Sequence, residues 1–289
     1  MSSFNKLRTK PFSHIDDIRK ESHSNVAIMA HSVTLSKPDV RFSRQTRDKF
    51  RAFAVHLSLS ALAIGLYLGL VFLAWYPYPY YQIENVWDVI HIVVGVDLVL
   101  GPLMTFVVYK AGKKSLKFDL SVIVFIQLSA LLWGMHVTYT QRPVYVAIVN
   151  YVFEVVANSE VDRKMIKDPA LSTPWWGGAP KLVYVNLPFS DAEIVALGEK
   201  TLAEGKRIAA MAQYYERFSQ HRDELYRRAI NIRQRIHEFS TLQPRVDRIV
   251  ARHGGTLDDY VFMSVEGRQG MGFLVLDKKT GHPVDALAN

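Results

Sequence analysis

Apolar residues are concentrated in three runs in the first half of the chain. The runs cover residues 53–75, 87–109 and 120–139. Each is close to the ~20 residues that a helix needs to cross the hydrocarbon core of a bilayer. Because a long polar segment precedes the first run and two more runs follow it, the first run is expected to remain as an anchor and not to be a cleaved signal peptide. The pattern predicts three transmembrane helices.

After the third run the pattern becomes that of a soluble α+β domain. Alternating apolar residues and turn signals predict six strands. They are residues 144–148, 153–156, 182–185, 260–265, 271–276 and 283–287. Ser190 and Glu193 fit a capping box at a helix start, and a later helix is expected from Pro244 to Gly254. The predicted fold class is a membrane protein with three transmembrane α-helices followed by a soluble α+β domain.

One long helix is also expected over residues 219–239. The apolar residues that define it recur at spacings of three and four, as on one face of a helix. They are Leu225, Ala229, Ile232, Ile236 and Phe239. Arginines crowd the opposite face, and interspersed Glu224 and Glu238 favour a solvated surface over a phosphate site.

The distribution of basic residues predicts the orientation in the membrane. The net charge is +8, with clusters at residues 41–51 and 110–117, whereas loop 76–86 contains no Lys or Arg. Since basic flanks stay in the cytoplasm, residues 1–47 are expected to be a flexible cytoplasmic extension, 48–140 the transmembrane unit and 141–289 a periplasmic domain. The basic excess fits membrane lipids as partners, and no nucleic-acid binding is expected.

Motifs for catalysis and metal binding are not evident. His237 and Glu238 resemble the start of a zinc-protease helix, but position 241 is Thr and the second histidine is missing. The chain contains no cysteine. No enzyme activity, cofactor or metal is therefore expected.

The most informative residue in the spans is Asp97. A carboxylate at the centre of a membrane helix is expected to face other helices, because its exposure to lipid costs on the order of 3 kcal/mol. Gly101 is one turn later on the same face, and Pro102 removes a backbone hydrogen bond, which leaves a local gap for Asp97 or a neighbour to fill. The candidate companions of Asp97 are His56, His91, Gln127 and His136.

Small residues in two spans indicate helix packing or partner binding. In the first span Ala61, Gly65 and Gly69 are spaced by four, which favours close approach of another helix. In the third span Gln127, Ala130 and Gly134 share a face. Three roles for Asp97 stay open: holding the three helices in register, binding a partner, and proton relay.

A set of short motifs extends from the end of the first span to the first predicted strand: Trp75-Tyr76-Pro77, Gly95-Val96-Asp97, Gly101-Pro102, the run from Lys113 to Leu120, Gln127-Leu128, Gly134 and Arg142-Pro143-Val144. Together these motifs resemble the TfpX/TfpZ family of type IV pilin accessory proteins of Gram-negative bacteria. The resemblance is close from about Arg47 to Val156 and thinner beyond.

The resemblance implies an inner-membrane protein that assists the stability or assembly of a cognate type IV major pilin, and the expected partners are this pilin and other pilus-assembly proteins. It implies no catalytic residues. Two other classes stay open: a membrane sensor whose outer domain binds a ligand, and a pilin-modifying membrane enzyme. A cytoplasmic output domain would favour the sensor, and a cluster of acids and histidines near one bilayer face would favour the enzyme.

Overall fold

The computed structural model describes residues 44–187, 190–203 and 205–287. Within these ranges three helices are long and apolar enough to span a membrane: Arg44–Trp75, Trp87–Val108 and Leu116–Gln141. They confirm the three predicted spans, and the first and third begin earlier than their apolar runs. The extension expected over residues 1–47 lies outside the described residues, except that 44–47 already belong to the first helix.

Two of the spans contain a π-helical turn, in which the backbone hydrogen bonds skip one residue more than in an α-helix. The first span is α-helical over Arg44–Leu70 and π-helical over Val71–Trp75. The second consists of an α-helix at Trp87–Val94, a π-helical turn at Gly95–Leu100 and an α-helix at Gly101–Val108. The third span is one uninterrupted α-helix.

A mixed β-sheet begins directly after the third span, and we call residues 143–287 the sheet domain. Seven strands are found among the described residues, in the spatial order β4-β3-β1-β2-β5-β6-β7. They are β1 Pro143–Val149, β2 Val152–Ala157, β3 Lys181–Val185, β4 Tyr215–Arg217, β5 Tyr260–Gly267, β6 Gly270–Asp277 and β7 Pro283–Leu287. All six predicted strands are confirmed. Strand β4 was not predicted, because three residues are too few to show a period.

Four α-helices accompany the sheet in the described residues: α1 Asp191–Ala203, α2 Phe218–Arg227, α3 Ile232–Glu238 and α4 Gln243–His253. The start of α1 is as predicted, since the Glu193 carboxylate accepts the backbone N–H of Ser190 at 2.8 Å. The single helix predicted over residues 219–239 is wrong.

The break between α2 and α3 has a clear structural cause. The backbone N–H of Ile230 donates to the carbonyl oxygen of Phe262 on β5, 2.9 Å away, and Asn231 caps α3 by accepting from the N–H of Gln234. Leu225 of α2 packs on one face of the sheet, and Ile232 of α3 packs on the other. Residues that form one apolar stripe in the sequence therefore pack into two cores, on opposite faces of the sheet.

The loop between the first two spans is part of the core of the sheet domain. Tyr80 and Ile83 are buried against the face of the sheet that also packs on α2. The backbone N–H of Gln269, in the β5–β6 turn, donates to the carbonyl oxygen of Ile83 at 3.2 Å. A Cβ atom at Gly267 would lie 2.8 Å from this same oxygen, so glycine permits the close approach. The β5–β6 turn is therefore docked directly on the membrane unit.

A buried acid lies at this junction. Glu84 is 4% exposed, and its carboxylate is 3.4 Å from Nε of Arg268. Burial raises the pKa of Glu84 to about 7, although Arg268 acts in the opposite direction. The junction between the spans and the sheet domain thus contains a group that titrates near neutral pH.

Candidate functional site

Asp97 lies at the midpoint of the second span, inside the π-helical turn. Its side chain is on the inner side of the three-helix unit, and the residue is 4% exposed. Sequence reasoning placed this carboxylate away from lipid, and the structure does so. π-Helical turns inside α-helices are frequent at functional sites, which directs attention to this segment.

The main-chain carbonyl of Asp97 has lost its partner within the helix. In the π-helical turn the N–H of Gly101 bonds to the carbonyl oxygen of Val96, five residues earlier. The next bond of the same kind would run from residue 102 to Asp97, but Pro102 has no N–H. The side-chain amide of Gln127 in the third span donates to this carbonyl instead, at 3.1 Å. The gap expected from Pro102 is filled by a neighbouring helix.

Gly101 provides the space for this hydrogen bond. A Cβ atom at position 101 would overlap the amide group of Gln127. Asp97, Gly101 and Gln127, singled out separately in the sequence, therefore form one contact between the second and third spans.

The carboxylate of Asp97 has no comparable partner. Neither of its oxygens has a hydrogen-bond donor among the described residues, and the same holds for Oε1 of Gln127. All three are acceptors. Both residues line a cavity of about 190 Å³ between the first and third spans, together with His56 and Ser60 of the first span. The remaining lining is apolar and consists of Leu59, Ala63, Val124, Leu128 and Leu131.

Of the candidate companions of Asp97, Gln127 and His56 lie at the site. Nδ1 of His56 is 2.6 Å from the hydroxyl oxygen of Thr105, two turns after Asp97, and this contact joins the first and second spans. His91 and His136 are exposed and stack near Trp87 and Trp133. Thr105 was missed in the sequence, although its position eight residues after Asp97 puts both on one helix face.

A second cavity, of about 470 Å³, adjoins the first and shares His56, Leu59 and Val124 with it. It extends to Asp48 and Arg51, in the basic part of the first helix. We call the two cavities together the lateral groove. It separates the first span from the third over the half of the membrane unit that is distant from the sheet domain.

The two small-residue faces are placed differently. Gly134 is buried, and a Cβ atom there would overlap the side chain of Val93 in the second span, so this face packs inside the unit. Ala130 is half-buried on the same helix. By contrast, apart from the backbone of the same helix, no described atom lies within 4 Å of a Cβ atom built at Gly65 or Gly69.

The stripe of Ala61, Gly65 and Gly69, of which the first two are exposed and Gly69 is half-buried, also lies away from the lateral groove. At 100° per residue, Gly65 is about 200° around the helix from Ala63, which lines the groove. One partner helix in the groove could not contact the stripe as well.

The lateral groove is lined mostly by apolar side chains. It offers hydrogen-bond acceptors at the end of an apolar channel. Over residues 44–187, 190–203 and 205–287, no group of three His, Cys, Asp or Glu side chains is placed to hold a metal ion.

Comparison with known proteins identifies a family. The model of fimbrial assembly protein FimB matches residues 44–84, which include the first span and the loop that follows it. Three fimbrial assembly proteins of Dichelobacter nodosus are similar over 94 residues, or 32% of this chain. The proteins of serogroup I and of serogroups C1 and C2 are both 40% identical, and that of serogroup E1 is 39% identical.

The coverage of these relatives differs. The aligned part is 37% of the serogroup I and E1 proteins, so the chain spans about a third of the length of these two. It is 72% of the serogroup C1 and C2 protein. No solved structure matches the chain. Because most of the serogroup C1 and C2 protein aligns at 40% identity, this chain belongs to the fimbrial assembly protein family.

Proposed function

We propose that this protein is an inner-membrane accessory factor for type IV pili, of the TfpX/TfpZ kind, which holds a cognate major pilin in the membrane before assembly. Membership of the fimbrial assembly family supports a role in pilus assembly. The observation that carries the proposal is the unpartnered carboxylate of Asp97 in a groove that opens between two membrane helices.

The groove is suited to the side chains of an apolar helix from a partner. Its walls consist largely of aliphatic side chains, which pack against another helix as readily as against lipid. An unpaired carboxylate at this depth is unfavourable, so a partner that supplies an N–H or O–H donor gains from meeting it. Asp97 thus gives specificity, and the apolar walls give contact area.

The orientation is part of the proposal. The basic clusters at residues 41–51 and 110–117 and the lack of Lys or Arg in loop 76–86 support a cytoplasmic N-terminus. The sheet domain then lies in the periplasm, where it can contact the globular part of the pilin. The stripe of Ala61, Gly65 and Gly69 is available on the opposite face for a second membrane helix, of the pilin or of another assembly protein.

Co-purification of the pilin from detergent-solubilised membranes tests the groove. Asp97→Leu removes the acceptors, and Ala63→Leu fills the groove. Each is expected to lower the recovered pilin about tenfold, which corresponds to a loss of roughly 1.4 kcal/mol in binding. The matched control is Ala61→Leu, the same change two residues away on the exposed face, where recovery should be retained.

The outcomes separate the two faces of the first span. Loss with Ala61→Leu but not with Ala63→Leu would move pilin binding to the small-residue stripe. Unchanged recovery with both Asp97→Leu and Ala63→Leu would refute binding in the groove.

A further inference from the structure

Trp175 and Trp176 are the most conspicuous apolar side chains on the surface of the sheet domain. They are 72% and 55% exposed and lie in the loop between the 3₁₀ turn Pro169–Leu171 and β3. Packing of both rings inside the domain would be the ordinary expectation for adjacent tryptophans. The structure shows that neither ring is used in this way.

The backbone of this loop is attached to the ends of two membrane spans. The indole N–H of Trp75, the last residue of the first span, donates to the carbonyl oxygen of Trp176 at 2.9 Å. The hydroxyl of Tyr139, in the last turn of the third span, donates to the carbonyl oxygen of Trp175 at 3.0 Å. The N–H of Gly178 donates to the carbonyl oxygen of Ala74 at 2.7 Å.

Arg142 and the glycine that follows the tryptophans complete the attachment. The Arg142 guanidinium donates to the carbonyl oxygen of Trp175 at 2.7 Å and is almost fully buried. Gly177 has a φ of 145°, and a Cβ atom there would lie 2.6 Å from the carbonyl oxygen of Ala74. Three backbone polar groups of the loop are therefore bonded to the span ends or to Arg142, which fixes the loop there, while the two indoles are exposed.

The depth of this loop follows from the third span. Its predominantly apolar stretch from Leu120 to Val137 is helical throughout and about 27 Å long at 1.5 Å per residue, close to the ~30 Å thickness of the hydrocarbon core. Tyr139 and Arg142 come directly after it, at the level of the headgroups. Trp87 and Tyr78 are exposed at the same end of the unit. Tryptophan is enriched in this layer, because its ring is apolar while its N–H remains polar.

We propose that Trp175 and Trp176 insert into the headgroup layer of the bilayer on the side of the sheet domain, and that they form a lipid-binding foot of that domain. The partner is the lipid surface itself. These two rings add to the aromatic belt of the three spans, although their loop is distant from the spans in sequence. The foot fixes the orientation of the sheet domain relative to the membrane, independently of any pilin binding.

Because the chain contains no cysteine, single cysteines can be placed and spin-labelled without background. The full chain is reconstituted in phosphatidylcholine vesicles as Trp175→Cys or Trp176→Cys, and the accessibility of the label to oxygen and to a water-soluble nickel chelate is measured. Trp133→Cys, on the lipid-facing surface of the third span, is the reference for the hydrocarbon. Val195→Cys, exposed on α1, is the reference for water.

Labels at positions 175 and 176 are expected between the two references, with oxygen accessibility several-fold above that at position 195. Values equal to those at position 195 would show that the loop is in water and would overturn the proposal. Shielding from both reagents would show that the surface is covered by protein and would equally overturn it.

A second measurement uses the unmodified chain, in which both indoles are present. Its tryptophan fluorescence should be quenched by lipids brominated near the headgroup. Part of that quenching should vanish in the comparison variant W175F/W176F. If no part vanishes, the indoles are not in the lipid.

Discussion

The side-chain amide of Gln127 donates to the main-chain carbonyl oxygen of Asp97, and this bond joins the third span to the second at the middle of the membrane. It replaces a backbone bond that Pro102 is unable to make. The pair therefore uses the polar atoms of Asp97 in two ways: the carbonyl stabilises the helices, and the carboxylate remains available to a partner. In our proposal, the structural role of Asp97 belongs to its carbonyl oxygen and the partner-binding role to its carboxylate.

Gly101→Ala is expected to destabilise the membrane unit by about 1–3 kcal/mol, because the added Cβ overlaps the amide of Gln127 and forces the second and third spans apart. Thermal unfolding in detergent micelles measures the effect. Gly65→Ala is the matched control: it also adds one methyl group to a membrane helix, but to an open surface. Equal melting temperatures for the two variants would contradict the contact.

Gln127→Leu is expected to destabilise the protein by about 1–3 kcal/mol, since the buried carbonyl of Asp97 is left without a donor. Ser129→Ala provides the comparison, because the hydroxyl of Ser129 bonds only within its own helix turn, to Phe125 at 2.8 Å, and is exposed. The readout is again unfolding in micelles. Addition of Gln127→Leu to Gly101→Ala should cost less than the sum of both, because the two residues act on one contact. Full additivity would argue against the shared site.

The free energy of unfolding should decrease as the pH rises from 4.5 to 7, because of Glu84. The folded protein holds the proton of this carboxyl up to about pH 7, whereas the unfolded chain releases it near 4.5. Over this window the unfolded state is therefore progressively favoured, by about 3 kcal/mol in total. Melting temperatures measured across the window should fall less steeply in Glu84→Gln than in the parent chain.

Glu266→Gln is the control for this pH effect, since Glu266 is an exposed carboxylate on the β5–β6 hairpin, whose turn contains Arg268, the partner of Glu84. It should keep the slope of the parent. If Glu84→Gln and the parent have the same dependence on pH, Glu84 does not titrate in this window.

Arg142→Gln is expected to release the loop of residues 172–178 from the ends of the spans. The guanidinium donates to the carbonyl oxygens of Tyr139 and Trp175 at 3.1 and 2.7 Å and lies 4.2 Å from the ring centre of Tyr139. Hydrogen exchange of the loop should accelerate by about tenfold or more, which corresponds to a decrease of roughly 1.4 kcal/mol in its local stability.

The same variant should leave exchange in β5 and β6 unchanged, because those strands are at the other side of the sheet. Arg163→Gln, on the neighbouring 3₁₀ turn, is the comparison for a lost arginine. Slow exchange of the loop in Arg142→Gln would mean that Trp75, Tyr139 and Gly178 hold it without the guanidinium.

The sequence predicted what depends on neighbours along the chain. Three apolar runs of about 20 residues are sufficient to define spans, and alternation with turn signals was sufficient for six strands. The same local reasoning failed over residues 219–239. There the apolar residues continue at helical spacing, although the helix breaks and the two halves pack on different faces of the sheet. Leu225 and Ile232 are in phase on one imagined helix, but the bond from Ile230 to β5 sends them to opposite faces of the sheet.

The amino-acid sequence by itself determined that Asp97 had to be sheltered from lipid, because the charge of a carboxylate is unfavourable in hydrocarbon wherever the helix packs. Only the tertiary structure decided which groups shelter it, that Gln127 serves the carbonyl and not the carboxylate, and that the stripe at Gly65 faces away from the groove. The same is true of the ion pair between Glu84 and Arg268 and of the hydrogen bond from Arg142 to the carbonyl oxygen of Trp175. These contacts join residues far apart in the chain, and their geometry is set by how whole helices and strands pack, which no local pattern encodes.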